Sequence, residues 1–130
     1  MTEAQHIATA CQTQSSLSGF DLWLLVGEWT PATNDCATYL NGRGVASNYA
    51  TLVGSCTGLT GSGSSFSSSY KTFLRQMWEA QVISYEKVTQ GWLQWTWKAE
   101  NADEWSYQAG LNYGWIPQDP TSYEYPTICG

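Results

Sequence analysis

Charge is scarce in this chain. Only 12% of its 130 residues are Asp, Glu, Lys or Arg, about half the share in an average soluble domain. Bases are scarcer still: five Lys and Arg stand against eleven acids, for a formal net charge of −6. A nucleic-acid partner would want a basic face to neutralise phosphates, and a polybasic membrane anchor would want clustered cations. The sequence offers neither. It has one histidine, His6, and no CxxC pair, so a zinc site lacks its ligands and no metal or cofactor is expected. No run approaches the roughly 18 apolar residues that span a bilayer. Met1 to Gln14 has no basic start and no apolar stretch, so it does not read as a signal peptide.

What is abundant is aromatic: eight Trp and eight Tyr. Such side chains suit a large core and equally a surface that stacks on sugar rings, and composition does not separate the two. The length fits one domain, and 42% hydrophobic residues suffice for a core. Cys11, Cys36, Cys56 and Cys129 lie far apart, which fits two disulfides and an oxidising compartment, with three connectivities open. A chain with secretory cysteines and no secretory address is expected to have lost its beginning.

Residues 2–17 read as a helix with Ile7, Ala8, Cys11 and Leu17 on one face, stopped by Ser18-Gly19. Leu22 to Val26 is a continuous apolar run, the pattern of a strand buried on both sides and ended by Gly27. From Thr30 to Ser69 the chain is rich in Gly, Ser, Thr and Asn, and the part from Gly58 to Ser69 is expected to be mobile. An irregular stretch that long should be functional or stapled. Tyr70 to Val88 is the clearest helix: Phe73, Leu74, Met77, Trp78, Gln81, Val82 and Tyr85 recur at spacings of three and four. Lys71, Arg75, Glu79 and Glu86 fall mostly off that face. Trp92 to Trp97 reads as a second buried strand, and a short helix is expected near Ser106 to Tyr113.

Helix, strand, loop, helix, strand, helix is the alternation of parallel βα units, so the fold class is α/β. Two strands leave both sheet edges unpaired, and further strands are expected from elsewhere. Glu28 follows the first strand, at the end where a (β/α)8 barrel carries its catalytic side chains. A carboxylate there serves as nucleophile, base or ligand; the plain alternative is a solvated loop glutamate. His6, on a helix remote from either strand end, reads as a surface residue.

Longer motifs sharpen this. GEWTPATNDCATYLNGRG (Gly27 to Gly44) resembles the segment around the nucleophile in fungal exo-β-1,3-glucanases of glycoside hydrolase family 5. GWLQWTWKAENADEWSYQ (Gly91 to Gln108) is similar to that family's eighth strand and following loop, and YKTFLRQMWEAQVISYE to its seventh helix. The resemblance covers nearly the whole chain. It implies the C-terminal part of a TIM barrel, residues 1–130 being the last two βα units with a preceding helix. It implies Glu28 as the nucleophile and Trp95 as the floor of the −1 sugar subsite. Asn41 and Arg43 correspond approximately to residues lining the sugar pocket, although the glycine spacing after Asn41 is shorter here. It pairs Cys11 with Cys129 and Cys36 with Cys56; these bridges would contribute roughly 4–5 and 3 kcal/mol in the chain-entropy model. The implied partner is β-glucan, and the implied location of the parent enzyme is extracellular or the cell wall.

The sequence also departs from that family. Its acid/base glutamate lies in an Asn-Glu-Pro tripeptide, which does not occur here, and strands one to six are absent. Glu79, Glu86, Glu100 and Glu104 fall on the outer helix or the last loop. A retaining glycosidase needs two carboxyl groups, so the chain alone is expected to be inactive. The competing readings are a non-catalytic, aromatic-rich β-glucan-binding module and a partial barrel completed by identical chains.

Overall fold

A computed structural model describes all residues, Met1–Gly130. The first helix, α1 (Glu3–Leu17), opens with a capping box: Thr2 accepts from Gln5 N and Gln5 Oε1 accepts from Thr2 N. It stops where Ser18 turns extended and Gly19 takes φ +93°, as expected. Its buried face differs by one position from the expected one. Ala10 is buried, with Ile7, Cys11 and Leu17 beside it, while Ala8 is exposed. The spacing 7, 10, 11, 14 keeps one stripe on the neighbouring helix, and residue 8 rotates off it.

That neighbour is α3 (Ser68–Val88), the spine of the molecule, which starts when Ser67 caps Tyr70 N. Leu74, Trp78, Ala80 and Val82 are sealed from solvent. Glu79 is sealed as well and Arg75 is buried, contrary to the expectation that they lie off the packed face. The C-terminal tail crosses there and covers them. Glu79 accepts from Arg75 Nε and from the backbone N–H of Glu124 (2.8 Å) and Tyr125 (2.6 Å), while Arg75 Nη2 donates to Ser122 O at 2.8 Å. A buried ion pair survives because its remaining donors and acceptors are met.

The sheet has two parallel strands, β1 (Leu25–Trp29) and β2 (Gly91–Gln94). Both differ from the sequence expectation. The first begins three residues later and runs through Gly27, because its register is fixed by pairing of Leu25 with Gly91 and Val26 with Trp92. Leu22 and Trp23 precede the ladder and are 82% and 90% exposed. Neither strand is buried on both sides. Only α3 covers the sheet, so Leu25, Leu93, Trp95 and Trp97 stand exposed.

Between β1 and α3 the chain forms the short α2 (Asn48–Leu52) and a 3-10 turn at Gly63–Ser65. The segment expected to be mobile is pinned: Gly63 N donates to Asp103 Oδ2 (2.8 Å), Asp103 N donates to Gly61 O (2.9 Å), and Phe66 is buried against Tyr70 and Trp115. A Cβ on Gly63 would meet Tyr113 at 2.5 Å, so only glycine fits. The last helix, α4 (Tyr107–Tyr113), follows Ser106 as its cap. Disulfides join Cys11 to Cys129 and Cys36 to Cys56, with Cα separations of 5.2 and 5.5 Å. No helix is long and apolar enough to cross a membrane.

Candidate active site

The site begins with a local irregularity. Val26 pairs with Trp92 and Trp29 with Gln94, so three steps along β1 match two along β2. Such a bulge re-aims side chains. Trp29 turns into the core, edge-on to Tyr85 and Trp92 with ring centroids 5.6 and 5.2 Å away. Gln94 faces the same way, its Oε1 accepting from Trp78 Nε1 at 3.1 Å. Glu28 and Trp95 are one residue displaced from these two anchors, on the side that α3 does not cover. Glu28 therefore lies within the last turn of the ladder, not after it as expected, and its side chain is exposed. Trp95 lies one residue past β2, yet its N–H donates to Trp29 O at 2.8 Å, extending the ladder. It is 55% exposed.

The two sequence-predicted residues thus stand together at the carboxyl ends of neighbouring strands. No ion pair neutralises Glu28; the single salt bridge of the chain is Arg75 with Glu79. Behind Glu28, Gln81 Nε2 donates to Thr30 O (3.0 Å) and steadies the chain leaving β1. The Trp95–Thr96 peptide is cis, and Thr96 N donates to Trp105 O at 2.9 Å. Trp97 stacks on Tyr107 at 6.0 Å.

The following loop is organised around a residue that the sequence reading missed. Asp35 accepts from Ser47 Oγ (2.6 Å), Asn41 Nδ2 (2.5 Å), Tyr49 N (2.9 Å) and Asn48 N (2.7 Å). These bonds, Ser47's foremost, hold its carboxyl well below the ordinary range. Asn41 is thereby engaged as a loop brace, and Arg43 is exposed without hydrogen bond or ion pair. Asp35 had no readable signal, since its partners sit six to fourteen positions downstream.

Of the other glutamates weighed from the sequence, Glu100 is exposed without a partner and three are placed elsewhere. Glu79 holds the tail, Glu86 accepts from Trp92 Nε1 and Tyr123 Oη (both 3.1 Å), and Glu104 is fully buried. No three His, Cys, Asp or Glu side chains converge as metal ligands. A cavity of about 770 Å³ lies apart from Glu28, between α1, α3 and the loop. His6 lines it half-buried near Phe73, not on the open surface; burial and then the chain's amino terminus hold its imidazole below the usual range.

The probable glucan 1,3-beta-glucosidase A of Aspergillus niger is 43% identical over 99% of this chain. The chain is glucan 1,3-beta-glucosidase-like. The glucan 1,3-beta-glucosidases of Blumeria graminis and Candida oleophila are 40% and 39% identical over 100% and 96% of it. The chain spans about a third of the length of these glucosidases: 33%, 32% and 30%. No protein-family model matches it.

Proposed function

We propose that residues 1–130 are the C-terminal third of an extracellular or cell-wall retaining β-glucan hydrolase. They supply the last two βα units of a (β/α)8 barrel and the helix before them. The parent enzyme releases glucose from the ends of β-1,3-glucan. The observation that carries this reading is the exposed pair Glu28 and Trp95 at the carboxyl ends of adjacent parallel strands, where barrels of this class do their chemistry. The named activity of relatives matching the whole chain supports it.

Glu28 then attacks the anomeric carbon as the glycosidic C–O bond breaks, forming a glycosyl ester. A second carboxyl group protonates the leaving oxygen, then draws a proton from the water that hydrolyses the ester. Trp95 offers its indole as an apolar floor for the sugar ring, with Asn41 and Arg43 on the neighbouring loop as pocket residues. The acid/base partner belongs to the rest of the barrel. Protonation of the leaving group is worth roughly 10²–10⁴-fold, so the 130-residue chain alone should not turn over laminarin.

The test is a chimera in which this chain replaces the matching third of the Aspergillus niger glucosidase. Release of glucose from laminarin is expected, and Glu28→Gln should lower kcat on the order of 10³-fold or more. Undiminished activity of that variant would sink the assignment. An inactive chimera, with laminarin bound by the isolated chain, would favour the non-catalytic binding module.

A further inference from the structure

Glu104 is the one acid whose burial nothing in the fold yet explains. It sits in a 3-10 turn, Asp103–Trp105, and is 0% exposed. Both of its carboxyl oxygens lack a hydrogen-bond partner. A nearby polar atom is equally idle: Thr60 Oγ1 is buried and unpartnered. An ionised carboxylate in such a place is strongly disfavoured, and a neutral acid far less so.

The turn has a specific duty. Its Trp105 carbonyl accepts from Thr96 N (2.9 Å), Tyr107 N donates back to Thr96 O (2.8 Å), and Gln108 N and Ser106 Oγ donate to Trp97 O. The segment bearing Trp95 hangs from this turn. On its other side, Asp103 ties it to Gly61 and Gly63. We propose that Glu104 is a positioning residue which, as the neutral carboxylic acid, keeps the turn closed on residues 59–63 and so fixes Trp95–Thr96.

The groups facing it favour neutrality. Asp103 on the same turn is acidic, Tyr70 of α3 stays a neutral phenol and brings no positive charge, and the 59–63 loop contributes only Thr60. No cation is paired with it. Burial lifts its carboxyl to about 7; the Thr60 hydroxyl tempers the rise without completing a well-formed hydrogen bond. Because the folded state holds this proton more tightly than the unfolded chain, the stabilisation is full below about 4.5 and is lost as pH rises through about 7.

The consequence for sugar binding rests on the reading of Trp95 above; the test does not, so either can fail alone. Carbon-13 NMR of the glutamate-labelled 130-residue chain should show Glu104 titrating near 7. Amide hydrogen exchange at Thr96 and Tyr107, corrected for intrinsic rates, should quicken about tenfold or more as it ionises. Glu104→Gln should keep slow exchange at every pH, and Glu104→Ala should exchange fast throughout. Should the alanine variant not fold, the wild-type titration and the glutamine variant decide. A Glu104 titrating near 4.5, or Thr96 exchange indifferent to its ionisation, would overturn the proposal.

Discussion

The two faces of the sheet could hardly differ more. On one side Trp29, Trp92 and Gln94 interlock with α3, whose Trp78 is wholly buried. On the other, Leu25, Glu28, Leu93 and Trp95 meet solvent. The strands carry apolar residues on both faces, as strands of a parallel sheet do when both sides are covered. Stability therefore resides on the α3 side, whereas the exposed side is the one on which a ligand or further structure can act.

Substitutions can break or sharpen that contrast. Trp78→Ala removes one of the two largest sealed side chains and should lower unfolding free energy by about 3–5 kcal/mol in urea titration. A loss below about 1 kcal/mol would mean that α3 does not hold the sheet. Glu79→Gln keeps the shape but discharges the acid that Arg75 and two tail amides share. It should cost about 2–3 kcal/mol and release residues 122–125 to faster amide exchange. Leu93→Ser, on the open face, should change stability by no more than about 0.5 kcal/mol, with less self-association by sedimentation. A large loss there would show that this face is packed in solution.

The helices were legible because their signals are local: the spacing of Phe73, Met77, Trp78 and Val82, and the stop at Ser18-Gly19. The start of β1 was not. Leu22 to Val26 has the composition of a strand, but a strand's limits belong to its partner, and Gly91–Gln94 pairs three residues further on. The bulge that aims Glu28 outward is equally a property of two strands together. Glu28 could be singled out because it follows a strand, Trp95 only through the family resemblance, and both disulfides match the pairing that this resemblance implies. Asp35, Glu104 and the Arg75–Glu79 clamp stayed hidden for one reason. Their surroundings come from other segments that no local periodicity reveals: residues 41–49 for Asp35, Gly61 and Gly63 for the turn of Glu104, and residues 122–125 for the clamp.

The Cys11–Cys129 bridge spans 118 positions and makes nearly the whole polypeptide a covalent ring. A protease that cuts once anywhere inside it opens the ring without producing two molecules, and a cut between Cys36 and Cys56 is spanned a second time. Nicked protein would run as one band on a gel without reductant and as two once thiol is added. The irregular loop after β1 can therefore be severed without loss of material.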